Sequence, residues 1–157
     1  MNGYDFNHHI LKPWERDPAF YKTIWEYKSD VPAHEGPTHH GTTELWTYTF
    51  PLSSSERERF LNDLKVIPPL NNQAKQNLTA NAKDLWITGI RDIKNQSNVL
   101  TKLKEEESIK RDSEIISLIN KAVSSTNEFV RWLQDEAKSK TGPSGIGKDN
   151  YTWYLQN

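Results

Sequence analysis

From Ser53 onward, apolar residues recur at intervals of three and four, the spacing that places them on one side of an α-helix. The longest run lies between Asp112 and Ala137. There Ile115, Ile119, Ala122, Thr126, Phe129 and Leu133 share one stripe, widened by Ile116, Val123 and Val130. Trp86, Ile90, Ile93, Ser97 and Leu100 trace a second stripe, in a helix expected from about Asn81 to Glu107. The polar turn from Ser108 to Ser113 between them suits an antiparallel hairpin. Two shorter helices are expected ahead of it. Ser53-Ser-Ser-Glu56 is a capping box, followed by Phe60, Leu61 and Leu64 at helical spacing. Pro68-Pro69 then closes that helix and opens another carrying Leu70, Ala74 and Leu78.

The first third of the chain lacks this periodicity. Prolines at 13, 18, 32, 37 and 51 punctuate it, and each restricts its predecessor away from helix. One short helix is expected from Pro18 to about Tyr27, with Asp17 as N-cap and Phe20, Ile24 and Tyr27 on one face. Thr42 to Phe50 alternates loosely and predicts a short extended segment. The fold class is therefore mainly all-α: a long antiparallel helical hairpin with short helices and an irregular Pro-rich N-terminal segment. In chain order the expectation is residues 1–51 irregular, 53–138 helical, 139–149 a Gly-rich loop, and 150–157 the first turns of a truncated helix.

Composition adds a constraint. The chain has 157 residues and a hydrophobic fraction of 34%, with a mean hydropathy of −0.84. Globular domains run nearer ~45–50% apolar. Six tryptophans and 11% aromatics argue against a disordered coil. The low apolar content leaves a long hairpin with wet faces, or a single helical segment of a larger domain whose missing part supplies the other half of the core. The second is the expectation. Its last segment, with Tyr151, Trp153, Tyr154 and Leu155 in five positions, is too short to hold a helix unaided.

Several classes drop out. A net charge of −1 with evenly mixed signs argues against a nucleic-acid partner. No run of ~18 apolar residues offers a membrane span. With no cysteine, disulfides, thiolate metal sites and cysteine nucleophiles are excluded. No signal peptide is visible at Met1-Asn2-Gly3-Tyr4-Asp5, and the compartment stays open between cytoplasm and export.

Gly142-Pro-Ser-Gly-Ile-Gly147-Lys148-Asp149 comes within one residue of a phosphate-binding loop. Asp149 stands where the motif needs a hydroxyl, and a charged helix end precedes it in place of a buried strand. A helix C-cap explains part of it: Lys138 and Lys140 suit a helix C-terminus, Gly142 the left-handed position, and Pro143 the stop. Gly145 and Gly147 remain as positions where backbone approaches a ligand or another helix. With Tyr151 and Trp153 they are the candidate substrate-binding residues; no catalytic or metal-binding residue is assigned. His34-Glu35-Gly-Pro-Thr-His39-His40 lacks the four-residue histidine spacing of a helical zinc site, and Gly36-Pro37 forbids a continuous helix. Asn77-Leu-Thr79, Asn95-Gln-Ser97 and Asn150-Tyr-Thr152 match the glycosylation triplet at the frequency expected by chance.

One resemblance runs through the chain in order. It covers His9-Ile-Leu-Lys12-Pro-Trp14 with Asp17-Pro-Ala-Phe-Tyr21, Ser29-Asp-Val-Pro32, Glu35-Gly-Pro37 and Glu44-Leu-Trp46-Thr-Tyr-Thr-Phe-Pro51-Leu52. It continues through Gln76-Asn-Leu78, Asp84-Leu-Trp86, Lys140-Thr-Gly-Pro-Ser-Gly-Ile-Gly147 and Asn150-Tyr151 with Trp153-Tyr154-Leu155. These stretches resemble the N-terminal region of the bacterial "domain of unknown function 885" family. That family's members are largely helical, several times longer, and similar to zinc-dependent peptidases. Its His-Glu motif, further histidine pair and downstream glutamate have no counterpart here, and the His34 to His40 stretch falls in a connecting segment.

The resemblance implies the non-catalytic N-terminal helical portion of a zinc-dependent peptidase-like hydrolase. Its zinc belongs to the full-length parent, its partner is the missing C-terminal part, and its substrate is a peptide. By the same inference the Gly142 to Trp153 loop borders the substrate cleft. The fragment alone is expected to be inactive. The alternative is a stand-alone helical binding module that docks through its aromatic N-terminal half.

Overall fold

A computed structural model describes residues 12–26 and 42–143. The described residues are mostly helical. In order they form α1 (Pro13–Arg16), a 3-10 turn (Pro18–Tyr21), β1 (Ile24–Trp25), β2 (Thr43–Glu44) and a second 3-10 turn (Leu45–Thr47). Then come α2 (Ser54–Lys65), α3 (Ile67–Asn77), α4 (Lys83–Leu103), α5 (Glu107–Lys110) and α6 (Ser113–Ala137).

The hairpin forms as the periodicity requires. Trp86, near the start of α4, lies 5.7 Å from Trp132, near the end of α6. Ser97 pairs with Asn127, and Lys104, just past the end of α4, pairs with Asn120. Only antiparallel helices give that order. Every residue of the α6 stripe from Ile115 to Leu133 is buried, Thr126 included. The α6 start is fixed by Asp112, whose Oδ1 accepts from the Ile115 amide at 3.2 Å. Arg57 of α2 grips the same carboxylate from Nε at 2.7 Å and Nη2 at 3.0 Å, tying α2 to α6.

The capping box closes in both directions. The Glu56 amide donates to Ser53 Oγ at 3.2 Å, and the Ser53 amide to Glu56 Oε1 at 3.2 Å. At the next junction Pro68 and Pro69 occupy the first turn of α3, where a missing N–H leaves no bond unmade.

The apolar core has two lobes. Phe60, Leu64, Ile67, Leu100, Ile115 and Ile119 fill the lobe nearer the turn. Tyr21, Leu78, Trp86, Ile93, Phe129 and Leu133 fill the other. Polar groups on α3, α4 and α6 form a belt across the same helices. Asn71 Nδ2 donates to Ser125 Oγ at 3.1 Å, and Gln96 Nε2 to Thr126 Oγ1 at 3.3 Å. The helical stripes thus find partners within the described residues. The exposed large hydrophobics there are Phe20, Trp46, Val66 and Ile87.

Four local expectations need correction. The helix expected from Pro18 to Tyr27 is one 3-10 turn, capped by Asp17 through the Ala19 amide at 2.9 Å. The chain then turns extended, because Gln96 Oε1 takes the amides of Thr23 at 2.8 Å and Ile24 at 3.2 Å, which a helix would need for itself. Ile24 is fully buried while Phe20 is 44% exposed, so they share no face, and Tyr27 lies outside the described residues. The extended stretch from Thr42 to Phe50 is confined to Thr43–Glu44, paired parallel with β1, before a 3-10 turn takes over.

The other two corrections concern helix ends. The helix expected to reach Glu107 stops at Leu103, because the Glu106 carboxylate accepts from the Ser108 and Ile109 amides and starts α5. Gly142 does not take the left-handed conformation; what it provides is close approach, since a Cβ there would lie 2.5 Å from the Asn81 carbonyl oxygen.

Candidate functional site

The base of the glycine-rich loop is bound to the start of α4. Lys140 folds back so that its Nζ donates to the Ala80 carbonyl at 2.9 Å and sits 4.4 Å from the Trp86 ring centroid. Its long stem is covered, leaving the residue 9% exposed. Asn81 Oδ1 accepts from both the Thr141 amide, at 2.7 Å, and the Gly142 amide, at 2.9 Å. In return the Lys83 amide donates to the Gly142 carbonyl at 3.2 Å. A helix start lacking a side-chain cap at Ala82 thus gains an acceptor from the loop itself. Sequence reading assigned Lys140 to the C-terminus of its own helix; the structure uses it to join the two ends of the hairpin.

Beyond that base, Gly145, Gly147, Tyr151 and Trp153 lie outside the described residues, as do Lys148 and Asp149. So do all five histidines and Glu35. The described residues contain no group of three or more acidic, histidine or cysteine side chains arranged to hold a metal ion. None of the described helices is long and apolar enough to cross a membrane.

A second candidate, which sequence reading missed, lies where β2 and its 3-10 turn meet α2. Thr43, Glu44, Thr47, Tyr48, Arg59 and Asp63 line a recess of about 180 Å³. Tyr48 is its centre. The phenol donates to Asp63 Oδ2 at 2.6 Å and accepts from Arg59 Nε at 3.0 Å. The Arg59 guanidinium carbon lies 4.3 Å from the Tyr48 ring centroid, and Phe60 meets that ring edge-on with centroids 5.3 Å apart.

Burial and the hydrogen bond to Asp63 push the Tyr48 phenol up to about 12, with Arg59 partly opposing them. At neutral pH the phenol is therefore a donor, which fixes Asp63 as the acceptor. Thr43 completes the wall. Its residue is 3% exposed and its hydroxyl has no hydrogen-bond partner. The available signal for this recess was the Arg59/Asp63 pair at helical spacing, four apart on α2.

A third feature is a shallow groove of about 440 Å³ along the outer side of α4, beside Ile87, Ile90, Arg91, Lys94 and Asn98. Ile87 is 57% exposed there. Asn95, on the same side, accepts at 3.1 Å from Nζ of Lys22, whose pKa burial lowers while Asp92 and Glu26 partly oppose the shift.

The described residues thus define a mainly α-helical protein. No family model, no curated protein and no solved structure matches the chain.

Proposed function

We propose that residues 1–157 form the non-catalytic, N-terminal helical portion of a bacterial zinc-dependent peptidase-like hydrolase of the "domain of unknown function 885" type. The observation that supports this reading is the anchored base of the Gly142 loop. The resemblance puts that loop at the border of a substrate cleft. A border must be held in place, and Lys140, Asn81 and Trp86 hold it. In this reading zinc polarises a peptide carbonyl and activates water, on ligands supplied by a region outside these residues.

The experiment compares the 157-residue chain with the gene product read beyond Asn157, measuring bound zinc and hydrolysis of a mixed peptide pool with and without a chelator. Chelator-sensitive hydrolysis is expected from the longer product alone. A downstream continuation without a His-Glu motif, or a longer product that neither binds zinc nor cleaves peptides, overturns the reading.

A second reading is a stand-alone helical binding module that docks through its aromatic N-terminal half, and the exposed rings of Phe20 and Trp46 favour it. Phe20→Ser with Trp46→Ser separates the two: it abolishes partner capture in the second reading and leaves hydrolysis unchanged in the first.

A further inference from the structure

We propose that the recess beside Tyr48 binds a small zwitterion, an α-amino acid, with the ligand carboxylate on Arg59 and its ammonium on Glu44. The inference is independent of the hydrolase reading and needs no zinc and no downstream region.

The recess leaves several charged groups unspent. Arg59 commits Nε to the Tyr48 phenol, and its two terminal amino groups make no hydrogen bond among the described residues. The Glu44 carboxylate likewise makes neither hydrogen bond nor ion pair there. The two charges are not in contact with one another, so both signs stay available on the wall of one small space. Thr43 lines the same wall but is 3% exposed, so the charged groups are what the recess presents to a ligand.

Charge then selects the ligand. A simple anion drawn to Arg59 also meets Glu44 and Asp63, two carboxylates on the same wall. A simple cation drawn to Glu44 meets the guanidinium. A molecule carrying both signs a few bonds apart satisfies each and repels neither. Guanidinium and carboxylate pair through parallel N–H···O bonds, which suits the free end of Arg59. The recess of about 180 Å³ admits a free amino acid with a short side chain. Tyr48, kept protonated and held between Phe60 and Arg59, fixes the guanidinium in place before the ligand arrives.

Titration of the 157-residue chain with L-alanine, followed by amide chemical shifts, tests this. Saturable shifts are expected at residues 42–48 and 59–63. Acetate and methylammonium, each carrying one of the two charges, should give no saturation over the same range. Arg59→Gln and Glu44→Gln should each weaken L-alanine by about tenfold or more, the loss expected for one charge-assisted contact, with the remaining spectrum unchanged. The proposal is overturned by absence of saturable L-alanine shifts, by acetate or methylammonium reproducing them, or by Glu44→Gln binding as the parent does.

Discussion

The α4/α6 hairpin and the stretch from Pro13 to Trp25 lie against each other but are held by different forces. The hairpin buries a continuous apolar stripe, and its ends are finished by local caps such as Asp112. The N-terminal stretch has few regular bonds of its own. It is fastened by contacts to residues more than seventy positions away: Thr23 and Ile24 to Gln96, and Lys22 to Asn95. The Tyr21 hydroxyl adds a bond to the Trp14 carbonyl at 2.6 Å. Pro18 packs so closely on Gly89 that a Cβ at that position would come within 2.8 Å of it. One region is thus set by short-range periodicity, the other by a few side chains of its neighbour standing in for missing backbone partners.

Substitutions can drive the two apart. Phe129→Ala removes a fully buried ring that meets Tyr21 edge-on, with centroids 6.4 Å apart, so it strikes both regions. It should cost about 3–5 kcal/mol in denaturant unfolding and melt them together. Gln96→Leu leaves the Thr23 and Ile24 amides buried without an acceptor. The expected loss is about 1–3 kcal/mol, with hydrogen-exchange protection falling at those two amides while α6 stays protected. Equal loss of protection in both regions would mean that one set of forces holds them both.

Asp112→Ala spares the N-terminal stretch and should cost about 1 kcal/mol through the α6 cap, while also releasing Arg57 of α2. The same residue gives a pH dependence. Hydrogen bonds from Arg57, chiefly, hold its carboxyl below the usual 3.8, with burial opposing and the Ile115 amide assisting. Its contribution is complete above the unfolded-state value of about 3.9 and is lost as pH falls through the lower folded value. The melting temperature should therefore drop below about pH 4 less steeply in Asp112→Asn than in the parent. Gly89→Ala gains helix preference of about 1 kcal/mol but drives a Cβ to within 2.8 Å of the rigid Pro18 ring, and overpacking of that kind costs about 1–3 kcal/mol. A small net loss of stability is expected, with protection falling at Thr23 and Ile24.

The same contrast explains what could be read from the residues alone. The stripes of α4 and α6, the capping box and the Pro68-Pro69 junction each depend on neighbours within a few positions, so their spacing carries them. Thr126 and Ser97 stood on the stripes as polar members, which was the visible trace of the buried belt. Gln96 gave no such sign: its binding of β1 depends on where a distant stretch lands. The extended turn after Tyr21 was illegible for that reason. The recess beside Tyr48 joins residues from β2 to α2 through a phenol, and only the Arg59/Asp63 spacing hinted at it. The glycine-loop candidates at 145 to 153 lie outside the described residues, and only the loop's base is described.

The Asn81 side chain has a topological consequence. By accepting from Thr141 and Gly142, it brings the point where the polypeptide enters the hairpin against the point where it leaves. Residues 81 to 142 therefore make a noose drawn shut by that side chain together with Lys140 and the Lys83 amide. With entry and exit clasped in this way, the two long helices cannot slide past one another until the knot at their far end is undone.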